Sequence, residues 1–591
     1  MQREKIAVKY KWDLTPVYKS EKEFENALNN AEKFIDFAGF KNDIGTEEKL
    51  LNFFKKEESV SKLVERLYLY AHMKADENAK NSVFRAYLAK AESLCAKFSS
   101  ETSFAAPYLI SLPEETLLAF SKSEKLKDYD YMLCKLIAEK KHVLSENEEK
   151  LLAQGSEVFS SFKNIFTLID NADLDFGEIT DKKGKKIKLT HGSYSVLLHG
   201  SDRELREKAF KKLYGSYNSF LNTISAVYFS SVKKDVYLAK AKRFESCLNK
   251  ALIKEDVDPV VYKNLLHYVS KNLKYMHKYV KLRKKALKLD KMHMYDMYAP
   301  IVKNAELKLK YEEAYALVKK GLMPLGADYA ALLDKAYNEG WIDVYENEGK
   351  RSGAYSTGIY EAHPYVLLNY VETTHDVFTI AHEMGHAIHS HYANQAQPYS
   401  KADYAIFVAE VASTVNEVLL LNHVLSETKS QSLKKYLLSY YLDMIRTTLF
   451  RQTMFSEFEF LAHEAVENGT PLTKDGMSET YYKLNKKYYG SAVVHDKEIA
   501  FEWCRIPHFY SSFYVYKYAT GIISAICIAK KILNKEENAA ENYFNFLKSG
   551  GKTNPVDILK LAGVDLTAPK PFEEAMGVFR DILKQLEVVS K

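Results

Sequence analysis

The sequence predicts a mainly α-helical protein, and three observations carry that prediction. Apolar residues recur at spacings of three and four over most of the first 240 positions, as amphipathic helices require. Only one stretch of that region, near 175–190, reads as strand and turn. No internal repeat, low-complexity tract or proline- or serine-rich linker interrupts the pattern.

The elements follow in chain order. Periodicity predicts helices over 21–37, 47–54, 60–73 and 81–99. Ser111-Leu-Pro-Glu-Glu is a helix start with proline in the first turn. Helical spacing resumes over 147–170 and 202–239. Between these, Asp175-Phe-Gly-Glu-Ile-Thr and Lys186-Ile-Lys-Leu-Thr flank a glycine turn and read as a hairpin. A soft boundary falls there, which makes residues 1–200 an N-terminal helical lobe and 201–591 a second lobe. Further on, 353–356 and 366–370 are β-prone pieces, expected to form a small sheet just upstream of another helix.

Composition sets the frame. With 591 residues, 47% of them hydrophobic, the chain has material for a large core, and a net charge of +6 is small for this length. Basic runs at 182–186 and 281–285 read as solvated faces; no nucleic-acid-binding motif accompanies them, so no nucleic-acid partner is expected. Five scattered cysteines without a C-x-x-C pair suit reduced thiols, and no apolar run of 18 or more residues suggests a membrane span. The start of the chain lacks the apolar segment of a signal peptide, so a cytoplasmic location is expected.

One pentapeptide carries chemistry. His382-Glu383-Met384-Gly385-His386 reads H-E-x-x-H, and residue frequencies give on the order of 0.03 chance matches in a chain like this. Val377, Ile380, Ala381, Met384 and Ile388 have helical spacing, and Thr373 with Asp376 forms a capping box ahead of them. His382 and His386 therefore project from one face, able to hold a zinc ion, while Glu383 is placed as general base. Gly385 is poor for a helix interior and hints that something packs close there.

A catalytic zinc needs a third protein ligand. His389 lies about 10 Å along the helix from His382, too far to share one ion; it reads as a pocket-lining residue and His391 as a surface one. A metzincin pattern would need glycine at 389 and histidine at 392, where this chain has His389 and Tyr392. Glu410 lies in the apolar run 406–421, where a carboxylate is costly unless a cation balances it. The interval from His386 lets one helix end near Pro398 and a second return, so Glu410 is the favoured third ligand. Ser413 and Glu417 follow at helical spacing, either as partners that orient the ligands or simply as solvated positions.

These residues, with Gly353-Ala-Tyr-Ser-Thr-Gly, Pro364-Tyr-Val-Leu-Leu-Asn-Tyr, Phe407-Val-Ala-Glu-Val-Ala-Ser-Thr and Arg505-Ile-Pro-His-Phe-Tyr-Ser-Ser-Phe-Tyr-Val-Tyr-Lys-Tyr, resemble oligoendopeptidase F of the thimet-oligopeptidase family of zinc metallopeptidases. Weaker echoes at Trp12-Asp13-Leu14, 175–179 and 563–565 extend the likeness over nearly the whole chain. The resemblance implies a two-lobed helical metallopeptidase with a deep central channel, residues 201–591 forming the catalytic lobe. It implies one Zn2+ per chain on His382, His386 and Glu410, Glu383 as base, and oligopeptides as substrates cut at internal bonds. It further implies that His508 and a nearby tyrosine stabilise the transition state. Tyr510, Tyr514, Tyr516 and Tyr518 compete for the latter role, with Tyr514 preferred and Tyr518 one turn later. Gly353, Ala354 and Tyr355 would hold the substrate backbone as an edge strand; a purely structural hairpin is the alternative. A zinc carboxypeptidase or dipeptidase on the same scaffold is the competing function, with Arg351 or Arg505 available to capture a terminal carboxylate. A non-enzymatic helical scaffold is the third. Nothing in the sequence speaks to oligomeric state.

Overall fold

A computed structural model of the chain describes residues 2–41, 43–302 and 305–590. It is 71% helical and 3% strand, as the periodicity requires. Among the described residues, no helix is long and apolar enough to cross a membrane.

Several boundaries differ from the sequence expectation. The helices expected at 47–54 and 60–73 are one helix, Glu47–Glu77. The intervening Lys55-Lys56-Glu57-Glu58-Ser59 is polar but contains no glycine or proline, so nothing stops the helix. The stretch 147–170 breaks at Gly155 into Glu146–Gln154 and Ser156–Leu168. The stretch 202–239 breaks at Phe220 into Arg203–Ser219 and Leu221–Ala241, where no glycine or proline marks the interruption. The hairpin forms as expected: β1 (Glu178–Thr180) pairs antiparallel with β2 (Lys186–Lys188), Ile179 opposite Ile187.

Contacts divide the chain into two compact units, each assembled from separated segments. The first comprises Met1–Lys141, Glu306–Ser426 and Ala525–Val564. The second comprises His142–Ala305, Glu427–Ser524 and Asp565–Lys591. The boundary expected near 200 thus falls inside the second unit, between the helices His191–His199 and Arg203–Ser219, which pack on one another. Contiguous lobes were the simplest reading of an uninterrupted helical pattern. Packing between segments distant in sequence overrides it.

In the first unit a small sheet supports the motif. β3 (Ile342–Asp343), β4 (Tyr355–Thr357) and β5 (Tyr365–Leu367) lie in the order β3-β5-β4. β3 runs parallel to β5 and β4 antiparallel to it, which leaves β4 at an edge. Tyr365 and Leu367 of β5 enter an apolar cluster with Trp12, Leu67, Tyr70 and Met73. The N-terminal segment buttresses the sheet through polar bonds as well. Asp13 N–H donates to Gly340 O at 2.7 Å, Tyr365 Oη donates to Asp13 O at 3.0 Å, and Trp12 Nε1 donates to Glu77 Oε1 at 2.7 Å.

Candidate metal centre and active-site residues

The histidine helix spans Thr374–Ala396. Thr373 caps it: its Oγ1 accepts from Asp376 N–H at 3.2 Å while the Asp376 carboxylate accepts from Thr373 N–H at 2.9 Å. The helix ends at Ala396 because Gln397 precedes a proline and is extended. The carboxylate helix, Ile406–Glu427, returns beside it.

The two helices touch through Gly385. A Cβ placed there would lie 2.6 Å from Ser413 Cα, 2.8 Å from Ala412 O and 2.9 Å from Ser413 N, all backbone atoms that cannot swing aside. Asn416, fully buried, bonds across the same contact, its Nδ2 donating to Ala381 O at 3.0 Å and its Oδ1 accepting from Tyr329 Oη at 3.0 Å. Gly385→Ala is therefore expected to separate the helices despite alanine's better helix propensity. It should destabilise the protein by about 1–3 kcal/mol and weaken metal binding, read by thermal unfolding and metal titration. Unchanged stability and affinity would show that the close contact has no role.

That approach brings the side chains of His382, His386 and Glu410 together. His382 Nε2 lies 3.2 Å from His386 Nε2 and 3.6 Å from Glu410 Oε2, and the latter pair are 3.9 Å apart. Zinc bonds of about 2.0–2.2 Å in a tetrahedron place ligand atoms about 3.3–3.6 Å from one another. The donor set, two imidazoles and a carboxylate, is also the kind zinc takes in hydrolases. Among the described residues, these three form the group of histidine and carboxylate atoms able to hold a metal ion.

Glu417 orients His382. His382 Nδ1 donates to Glu417 Oε1 at 2.5 Å, which leaves Nε2 facing His386 and Glu410, free to coordinate an ion. Of its two possible readings, Glu417 thus takes the orienting one; Ser413 Oγ instead donates to Glu410 O at 3.1 Å on its own helix.

The charges respond to this crowding. Burial opposes a charge on His382, yet the hydrogen bond and charge of Glu417, with Glu383 and Glu410, raise its pKa to about 9. His386 is lowered to about 3, first by burial and then by the neighbouring His382 charge. Glu383 is raised to about 7 by burial, with Glu410 and Glu417 adding to the rise and His382 opposing it. A carboxylate poised near 7 suits a general base. Among the described residues Glu383 accepts no hydrogen bond, so its oxygens are not committed elsewhere.

A pH dependence follows from these directions. Since the His382 pKa lies above its ordinary value, the ring is charged below about 9 and must lose a proton before it can coordinate. His386 is already neutral. At pH 8, above the Glu383 value, metal binding by the apoprotein should release about one proton, and affinity should rise with pH until about 9. Calorimetric titration in two buffers of different ionisation heat measures the release; none at all would contradict the assignment.

The rejected histidines are placed as follows. His389 is buried, stacked at 3.7 Å on Tyr404, with neither ring nitrogen hydrogen-bonded. His391 was expected at the surface but is half-buried, its ring 5.8 Å from Trp341.

Gly353 has φ +88°, a conformation that needs glycine, and Asn369 Nδ2 holds the turn by donating to Arg351 O and Gly353 O at 2.9 and 2.8 Å. Ala354 follows, and Tyr355 opens the edge strand β4, its Oη donating to Asp76 Oδ2 at 2.7 Å. Arg351, an alternative carboxylate anchor, lies 3.4 Å from the same Asp76 carboxylate.

In the second unit, the His508 ring stacks 6.0 Å from Tyr514 and meets Tyr518 edge-on at 5.9 Å; the two tyrosines are 5.6 Å apart. Tyr516 points elsewhere, its Oη donating to Glu255 Oε2 at 3.1 Å. Tyr510 is buried against Phe166 at 4.5 Å. Of the four tyrosines, 514 and 518 therefore lie against the His508 ring, and the sequence spacing, four residues from 510 to 514 as from 514 to 518, does not separate them from Tyr510. Asn416 and Asn369 escaped the sequence reading. A buried asparagine inside an apolar helical run was the available clue to the first; the second had none beyond its place after a strand.

The chain is similar to known proteins over most of its length. Residues 196–578 match the pattern of "Peptidase family M3", and 109–176 match "Oligopeptidase F". The chain is 40% identical to oligopeptidase PepF of Bacillus subtilis over 588 residues, covering 99% of this chain and 88% of that one. A crystal structure from Chlamydophila abortus superposes with a TM-score of 0.94 at 37% identity, covering 100% and 99% of the two chains. The oligoendopeptidase-F structure from Enterococcus faecium gives 0.73 at 35% identity, covering 96% and 97%.

Proposed function

The chain belongs to peptidase family M3, and from that premise we propose that it is a zinc-dependent endopeptidase that hydrolyses internal bonds of short oligopeptides. The observation that carries this reading is the convergence of His382, His386 and Glu410 ligand atoms, with Glu383 uncommitted on the turn between the two histidines.

When bound by these three residues, zinc would polarise the scissile carbonyl and lower the pKa of water toward about 7. Glu383 takes the proton of the attacking water and later delivers it to the departing amine nitrogen. Glu417 keeps His382 in the coordinating tautomer throughout. By the family resemblance, His508 and Tyr514 donate hydrogen bonds to the oxyanion that develops on the former carbonyl oxygen. The same resemblance makes Gly353, Ala354 and Tyr355 the backbone that pairs with an extended substrate, a role that suits the edge position of β4.

Peptides blocked at both ends test the reading. An endopeptidase cuts them at interior bonds, loses that activity to a chelator and regains it with one equivalent of zinc. Cleavage that requires a free terminus would replace it with the exopeptidase alternative.

A further inference from the structure

The second unit contains a group of buried polar side chains that the metal centre does not use. Glu459 and His463 lie one turn apart on the helix Arg451–Glu467, both about 1% exposed, and Asp235 lies on Leu221–Ala241. All three converge on the corner 511–513, immediately before Tyr514.

The bonds go to successive residues of that corner. Asp235 Oδ2 accepts from Ser512 Oγ at 2.5 Å, and Glu459 Oε1 accepts from Phe513 N–H at 2.7 Å. His463 sits beside them: its Nδ1 donates to the main-chain carbonyl of Glu459 at 2.8 Å, and its Nε2 faces Asp235 Oδ2 at 3.5 Å. Lys234 Nζ lies 3.1 Å from Asp235 Oδ1. Phe513 has φ +58°, a left-handed conformation that a bulky residue keeps only when its surroundings hold it. Its ring is buried, 4.7 Å from His463 and edge-on to Tyr262 at 5.7 Å. On either side of the corner, Ser511 N–H donates to His508 O at 2.8 Å and Lys517 N–H to Tyr514 O at 3.2 Å. The corner thus links His508 and Tyr514 and is gripped from below at two consecutive positions.

A buried polar group can serve the fold alone. Three features favour a positioning role here. The carboxyls are spent on a loop rather than on the helices that carry them. The loop is strained at the residue gripped. The next side chain is the tyrosine that stacks on His508. Burial also raises the Glu459 pKa to about 8, so at neutral pH its carboxyl is largely uncharged and an amide of the same shape can replace it.

We propose that Glu459 and Asp235 are positioning residues that lock the 511–513 corner and so present Tyr514 and His508 in a single arrangement for the reaction. This rests on the reading of Tyr514 as a hydrogen-bond donor to the transition state.

The test is a double-mutant cycle on the full-length zinc enzyme. Ser512→Ala and Glu459→Leu should each lower kcat about tenfold or more with KM and zinc content held. Glu459→Gln should stay within about threefold of wild type, because its amide oxygen still accepts the Phe513 N–H. In a Tyr514→Phe background, Ser512→Ala should cost nothing further, since the group it positions is already gone. If Glu459→Leu fails to fold, Ser512→Ala, which removes one hydroxyl, carries the test. Clamp variants at the wild-type rate, or equal losses with and without the Tyr514 hydroxyl, overturn the proposal while leaving Tyr514 in place. Full activity of Tyr514→Phe overturns the donor reading and this proposal together.

Discussion

Glu383→Gln is expected to bind one zinc per chain and to lose about 10³-fold or more in kcat. The two halves of that result come from separate parts of the geometry. Glutamine keeps the size of the side chain and removes only its ability to accept a proton. The ligand atoms of His382, His386 and Glu410 are set by the helix contact at Gly385 and by Glu417, neither of which involves the Glu383 carboxyl. Metal analysis of the purified variant and its rate on an internally quenched peptide measure both halves. A variant without zinc would mean that Glu383 helps to bind the ion. A variant with wild-type rate would remove it as the base.

His386→Ala should give the opposite pairing. Activity falls to background and stoichiometric zinc is lost on dialysis. Only His382 and Glu410, 3.6 Å apart, would remain, and a catalytic zinc is held by three protein ligands. Alanine is a good helix former, so the helix Thr374–Ala396 should persist and circular dichroism should be unchanged. The two variants look alike in an activity assay and differ in metal content, so together they separate holding the ion from using it. Retention of both zinc and rate by His386→Ala would sink the assignment of the centre.

Much of this was legible in the residues themselves, for physical reasons. An amphipathic helix has one apolar stripe, so period 3.6 marks it even where its ends are misjudged. H-E-x-x-H and the carboxylate of Glu410 in an apolar run point to a cation because neither arrangement is cheap without one. Gly385 announced a close helix contact, and the backbone of Ser413 supplies it. Three things were not legible. The strand β3 has two residues, too few for alternation to register. The role of Glu417 depends on which face of the returning helix meets His382, and that a single sequence does not encode locally. The division into units depends on segments far apart in the chain that leave no mark on one another's pattern. The same limit hid Asp235 and Glu459, which meet only because their helices pack around one corner.

The discontinuity of the first unit has a consequence for biogenesis. Its last segment, Ala525–Val564, supplies Tyr543, whose Oη donates to Ala412 O at 3.5 Å, and Phe546, whose ring lies 5.3 Å from His389. Both support the helices that carry the ligands. Domains often fold in order as they leave the ribosome, but here the helices Thr374–Ala396 and Ile406–Glu427 pack against a segment translated near the end of the chain. Nascent chains stalled before residue 525 should therefore display the histidines without the packing that fixes them, and zinc should be captured tightly only after synthesis is nearly complete.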